Sequence, residues 1–293
     1  MLAVRAPATS ANLGSGYDVF GVALDRPADV VRVERAPEIE IEVTGVGSQY
    51  IPTDPDANTA GVVAKALDAP ARIEIDKGVR PSSGLGSSAA SAAGAAVALN
   101  TLYDRGHTRR ELVRIAAEGE AAVSGEAHAD NVAPAILGGF TVVTPESVTA
   151  VDSALPLVAC LPDAVVSTRD ARGAVPEQVS LEEYTEAVGN AATLVVGMLR
   201  NDPDLVGANM TDSVVTPARA ELIDGYDEVT DAALDAGATG VTVSGAGPGV
   251  LAVCRRLGDR RRVADAMVSA FDAVGVEARG YQTAVGRGAV VHA

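Results

Sequence analysis

The sequence predicts an α+β protein of two domains, and three features of the chain carry that prediction. Period-two alternation marks short strands in the first half, and long helical patterns dominate the second. The two kinds of segment never settle into the steady βαβ rhythm of a doubly wound sheet. The chain has 293 residues, enough for one large domain or two smaller ones around a real core. An extended polar stretch near Asp152 sets the expected boundary, giving domains of residues 1–152 and 153–293.

Residues 39–43 (IEIEV) and 71–75 (ARIEI) alternate apolar and polar side chains, as half-buried strands do. Between them residues 58–68 read as a helix with Asn58 as its N-cap. Residues 81–86 form a turn with two glycines, and a helix starts directly at Ser87 and runs to about Tyr103. Its run SSAASAAGAAVALN has so little bulk that neighbouring backbone approaches closely. Another helix is expected over residues 108–123, with strands at 140–144 and 155–161. In the second half, long helices are expected over 181–200 and 217–236. A strand at 240–244, a glycine-rich turn, a strand at 250–254, a helix near 260–274 and closing strands follow.

Composition narrows the function. Hydrophobic residues make up 47% and aromatics 3%, with no Trp, so the core must be built from Ala, Val, Leu and Ile. The formal charge of −16 repels nucleic-acid phosphates and anionic lipid headgroups, which argues against nucleic-acid and membrane-surface roles. Lys appears only at Lys65 and Lys77; the other basic residues are Arg. Acidic, Lys-poor chains suit concentrated salt, where screening shortens the reach of self-repulsion to about 3 Å at 1 M; compositional drift in an Arg-favouring genome gives the same letters. Cys160 and Cys254 sit singly in apolar runs and read as buried structural thiols, without metal-ligand spacing or a disulfide framework. The N-terminal residues lack a signal-peptide stretch, and no apolar run reaches the ~20 residues a bilayer requires, so the expected location is cytoplasmic.

The clearest chemistry lies in Pro81-Ser82-Ser83-Gly84-Leu85-Gly86-Ser87-Ser88-Ala89. Glycines at 84 and 86 let the backbone turn tightly against a ligand. The helix that starts next aims its free N–H groups and positive dipole end at the same point, a cradle suited to phosphate. Ser87 and Ser88 add hydroxyls for a phosphate or for Mg²⁺. A serine-capped helix after a glycine turn would read the same way without a ligand. The stretch holds no Lys and lacks the GxxxxGK[ST] spacing of P-loop NTPases.

Two further segments accompany it: PATSANLGSGYD from Pro7 to Asp18, and VSGAGPG from Val243 to Gly249. In this order the three resemble the signature motifs of the GHMP kinases, a family of small-molecule kinases, and the likeness runs from about Arg5 to the final strands. The PATSANLG…YD form looks most like the branch that phosphorylates homoserine. The resemblance implies an α+β, two-domain GHMP kinase fold, with a ribosomal protein S5-like N-terminal domain, a ferredoxin-like C-terminal domain and the active site between them. It also implies transfer of a phosphoryl group from ATP, with Mg²⁺, to the hydroxyl of L-homoserine in threonine biosynthesis, and it is compatible with a homodimer. The alternatives are another kinase of the family, acting on mevalonate, shikimate or a sugar, and a non-catalytic nucleotide-binding module.

Carried onto this chain, the resemblance lays ATP along Pro81, Ser82, Ser83, Gly84, Leu85, Gly86, Ser87, Ser88 and Ala89, with Gly245, Ala246 and Gly247 beside the phosphates. Ser88 and Glu120 match the metal ligands; on charge alone Glu118 and Glu126 would serve equally well. Asn12, Asp18, His128, Asn131, Thr168, Arg172 and Arg219 match the substrate pocket, with Asn12, Asn131 and Arg172 at the reacting end. A zwitterionic amino acid needs cations for its carboxylate and an acid for its ammonium, here Arg172 and Arg219 with Asp18. Surface salt bridges are the competing fate of those arginines, and Arg169 is a near neighbour of Arg172. Asn58 either touches the base or merely caps its helix. Position 249 is Gly where that branch usually carries Thr or Ser, and backbone N–H groups of Gly245 to Gly247 are expected to replace the hydroxyl. Mevalonate kinases use an Asp base; the corresponding position resembles Asn131, which cannot accept a proton. Direct attack by the hydroxyl is therefore expected, with Asp130 the residue able to overturn it.

Overall fold

In a computed structural model, which describes residues 1–292 apart from Glu126, His128 and the side chain of Ser124, the chain opens with β1 (Leu2–Ala11) and β2 (Phe20–Arg35). These strands are 10 and 16 residues long, so the expected short strands are corrected here. The prolines that interrupt their apolar pattern, Pro7 and Pro27, fall at the register shift between the two strands, where the ladder is broken and no N–H is needed. There follow β3 (Glu40–Gly45), α1 (Thr59–Ala66), β4 (Ala71–Lys77), α2 (Ser87–Tyr103), α3 (Arg109–Ser124), α4 (Ala129–Leu137), β5 (Phe140–Val143) and β6 (Val148–Val151). The second half contributes β7 (Pro156–Pro162), α5 (Thr168–Gly173), α6 (Leu181–Arg200), α7 (Pro203–Asn209), α8 (Val215–Ala220), α9 (Tyr226–Asp235), β8 (Ala238–Val243), β9 (Val250–Cys254), α10 (Arg260–Ala273), β10 (Ala278–Ala284) and β11 (Val290–His292).

Helix caps explain several boundaries. Asn58 accepts the N–H of Ala60 at 2.9 Å, and Thr108 and Ser180 close capping boxes with Glu111 and Glu183. The long helix expected over 217–236 is instead two: Gly225 takes φ 84° and starts α9 afresh after a turn. The short helices α4, α5 and α7 carry too few turns for their periodicity to stand out.

The first sheet runs β11-β1-β2-β4-β3, with β5 on β2 and β6 on β5. At β4 only one face is buried, as its alternating burial shows, whereas β1 from Ala6 to Ala11 is buried on both. Against the sheet lies α2, where every residue from Ala89 to Leu99 is buried; a helix surrounded on all sides has no polar face to reveal it. The second sheet runs β10-β7-β9-β8, antiparallel throughout, the fourth-first-third-second order of a ferredoxin-like unit. All seven residues of β7 are buried: Leu157, Ala159 and Leu161 join the larger core, while Val158 and Cys160 join a second core with α9 and α10. The two sheets fall on either side of residue 152 except at the end, where β11 returns to pair with β1. Cys160 and Cys254 are buried free thiols. No helix among the described residues is long and apolar enough to cross a membrane.

Candidate active site

The connection between β4 and α2 builds one side of the site. Gly86 takes φ 61°, and a Cβ there would lie 2.0 Å from Thr9 Oγ1 and 2.8 Å from Asn131 Oδ1. Only glycine lets the loop press against β1 and α4 in this way. As N-cap of α2, Gly86 also has no side chain to satisfy the first-turn N–H groups, and it lines a cleft of about 340 Å³ together with Ser87 and Ser88. Ser87 turns its hydroxyl back, donating to Val79 O at 2.8 Å, whereas Ser88 donates to Glu120 Oε2 at 3.0 Å.

Glu120 projects from the end of α3 and is 2% exposed. Burial pushes its carboxyl up to about 7, against the Ser88 hydrogen bond and the Lys77 charge, which hold it down. Glu118 is exposed on the same helix and does not line the cleft; Glu126 lies outside the described residues. Ser88 and Glu120 are hard oxygen donors beside a phosphate-shaped loop, a set that fits Mg²⁺, which keeps waters and takes phosphate oxygens for its other positions. Among the described residues no group of three or more His, Cys, Asp or Glu side chains gathers as a protein-only metal cage.

The opposite wall carries the ionic groups. Asn12, at φ 73°, accepts the Asp18 N–H at 3.0 Å and donates to Gly245 O at 3.1 Å, pinning the first motif to the third. From α5, Arg172 donates to both Asp18 oxygens at 3.1 and 3.4 Å and to Tyr17 Oη at 3.2 Å. From α8, Arg219, 5% exposed, donates to Gly245 O at 2.6 Å and Ala171 O at 3.3 Å. Burial pushes its guanidinium down from the usual arginine range. The Tyr17 ring lies close to both arginines, 5.9 Å from Arg172 and 5.1 Å from Arg219. Thr9 donates to Asn131 Oδ1 at 2.8 Å, leaving the Asn131 amide nitrogen to donate to Asp130 Oδ1 at 3.3 Å.

One cleft thus brings together Asn12, Asp18, Asn131, Thr168, Arg172 and Arg219 with Asn58, Glu120, the loop positions 81–84 and 86–88, and Gly245, Ala246 and Gly247. His128 lies outside the described residues. The side chains of Leu85 and Ala89 are fully buried outside the cleft lining, because the loop turns Leu85 into the core and Ala89 faces inward on α2, so only their backbone is left to meet a phosphate. The N–H groups of Gly245 and Gly247 are already donated to Ala11 O at 3.2 Å and Ser244 O at 2.9 Å, which leaves that of Ala246, a cleft-lining residue, as the expected stand-in for a hydroxyl at 249. Gly249 is dictated by contact: a Cβ there would lie 2.5 Å from Ser83 O. Asn58 spends its side chain on Ala60 N and Pro52 O while still lining the cleft.

Lys77 and Ser91 line the cleft and were not picked out by motif. The signal that could have found Lys77 is its rarity, one of two lysines in the chain, at the end of a strand entering the glycine loop. Tyr17 stood inside the first motif without an assigned role, and its position close to two arginines is purely tertiary.

The family model for the GHMP kinases N terminal domain matches residues 57–139, and that for the GHMP kinases C terminal matches residues 194–273. The homoserine kinase of Halorubrum lacusprofundi is 72% identical over 291 residues, covering 99% of each chain. That of Haloarcula marismortui is 69% identical over 291 residues, covering 99% of this chain and 100% of the relative. The crystal structure of homoserine kinase from Cytophaga hutchinsonii superposes with a TM-score of 0.92 at 36% identity, covering 99% of this chain and 97% of that one.

Proposed function

The chain belongs to the GHMP kinase family, and from that premise we propose that it is a homoserine kinase, converting ATP and L-homoserine to ADP and O-phospho-L-homoserine. The observation that carries this reading is a single cleft holding the glycine loop, the Ser88–Glu120 pair and the Asp18–Arg172–Arg219 group. Likeness over the full length to homoserine kinases supports the choice of substrate within the family.

Phosphoryl transfer is mostly positioning and charge neutralisation. The loop amides and the N-terminus of α2 stabilise negative charge on the β- and γ-phosphates. Ser88 and Glu120 would hold Mg²⁺, which when bound offsets charge on those oxygens. Within the cleft Arg172 and Asp18 form an ion pair. The homoserine carboxylate takes over the arginines, and its ammonium takes over Asp18, so the zwitterion inserts into an existing ion pair and neither charge is left bare. Asn12 and Asn131, each fixed by a hydrogen bond, orient the hydroxyl toward the γ-phosphorus. Asn131 cannot take a proton, so the hydroxyl attacks directly and its proton leaves late or passes to a phosphate oxygen.

Mevalonate and shikimate share the carboxylate but lack the ammonium and would leave Asp18 without its partner. The test is ADP release with Mg-ATP and homoserine, mevalonate or a sugar as acceptor. Turnover on homoserine alone is expected; preference for mevalonate would overturn the assignment. The acidic surface is read as an adaptation to concentrated salt, and the protein as a cytoplasmic enzyme of threonine biosynthesis. Residues 1–152 and 153–293 are kept as its two domains, with β11 returning to the first.

A further inference from the structure

Beneath the glycine loop lies a buried ion pair that no motif contains. Asp29, in the middle of β2, is fully buried, and Lys77, the last residue of β4, is 2% exposed. Asp29 Oδ1 accepts the backbone N–H groups of Gly78 and Val79, each at 3.0 Å, and its Oδ2 accepts Ser91 Oγ at 3.0 Å and Lys77 Nζ. Lys77 Nζ also donates to Ser87 O at 2.7 Å and to Ser91 Oγ at 2.8 Å. The loop leaves β4 at Gly78 and enters α2 at Ser87. Asp29 therefore grips where the loop begins and Lys77 grips where it ends. Ser87 Oγ ties the two ends directly through Val79 O.

Such a pair is a poor way to gain stability, because desolvating two charges consumes most of their attraction, and well-packed apolar residues often serve as well. What it supplies is geometry. An ammonium offers three tetrahedrally arranged donors, and here three acceptors meet them, one from β2 and two from the first turns of α2, a pattern that the planar fork of Arg cannot reproduce. The chain uses Arg at nearly all of its basic positions, yet Lys stands here. One residue beyond Ser87, Ser88 points at Glu120, so a shift in the first turn of α2 moves both the amide cradle and that oxygen pair.

We propose that Asp29 and Lys77 form a positioning clamp that closes the base of the nucleotide loop and sets where the first turn of α2 meets the triphosphate. The clamp rests on the kinase reading of the cleft and acts through the loop, with Asp29 outside the cleft lining.

The test combines D29N with K77M, which removes both charges together and leaves neither stranded. Mg-ATP affinity by calorimetry is expected to weaken at least about ten-fold, and the amides of residues 82–88 to exchange at least about ten-fold faster, while homoserine affinity stays within about two-fold. A folded double variant with parental Mg-ATP affinity and parental loop protection overturns the clamp. Should that variant not fold, S91A serves, since it removes one of the three Lys77 acceptors and keeps both charges. It is expected to weaken Mg-ATP binding about three-fold with faster loop exchange, and parental values there overturn the proposal equally. K77R is expected to fail like the double variant despite its retained charge. Failure of the parent protein to bind Mg-ATP would instead sink the kinase reading, so the two ideas fail separately.

Discussion

Replacing Glu120 with Gln should stabilise the metal-free protein at pH 8 while disabling it as an enzyme. The carboxyl is buried, and burial raises it from 4.5 to about 7. A group whose folded value lies above its unfolded value contributes stability that is complete below the unfolded value and lost as pH rises through the folded one. The metal-free parent therefore gives up stability between about pH 4.5 and 7 as Glu120 ionises in its buried position. At about 1.4 kcal/mol per pH unit, the rise to about 7 corresponds to about 3 kcal/mol, an upper figure because relaxation around the charge recovers part of it. Glutamine mimics the neutral acid and keeps an acceptor for the Ser88 hydroxyl, so E120Q escapes the loss. The assay is denaturant unfolding with a chelator present, at constant high salt, for both proteins at pH 5 and pH 8. E120Q should exceed the parent by about 2–3 kcal/mol at pH 8 and by little at pH 5. Equal stability at both values, or a gap that widens toward pH 5, would show that burial of this carboxylate is not the cause. Under assay conditions E120Q should lose at least about a hundred-fold in kcat, since a neutral amide would replace the carboxylate proposed to hold Mg²⁺.

Other substitutions test separate parts of the cleft. R172A should raise KM for homoserine about 10–100-fold, the worth of a charge-assisted fork, and leave KM for ATP within about two-fold; a larger effect on ATP would move Arg172 to the nucleotide. D130A should keep most of its kcat, and a loss of more than about a thousand-fold would make Asp130 the general base. G249T should cost about 1–3 kcal/mol and weaken ATP binding, because its Cβ would overlap Ser83 O; a neutral result in both would mean the loop yields easily. Raising KCl from about 0.1 to about 2 M should raise Tm by screening the net charge of −16, and a flat or falling Tm would remove the salt-adapted reading of the surface.

Much of this site was legible as sequence because its chemistry is carried by backbone at short spacing. The glycines of the loop and the start of α2 at Ser87 follow from local rules of turning and capping, and α2 and α6 end where the letters say they should. The same rules fail where tertiary contact decides. No local signal tells Glu118 from Glu120; packing exposes one and buries the other against Ser88. Leu85 sits among cleft-lining neighbours yet turns into the core, and Gly225 splits a pattern that looks continuous on paper.

By itself the sequence determined the fold class, the acidic surface and the glycine loop, since periodicity, charge and the freedom of glycine act over a few residues. Only the tertiary structure decided that Asp18 meets Arg172 across 154 positions, that Tyr17 stands close to two arginines and that Asp29 reaches under the loop to Lys77. Such meetings depend on which strands pair and in what register, and those pairings are fixed by burial of the whole core, a property of the assembled chain that no short segment carries.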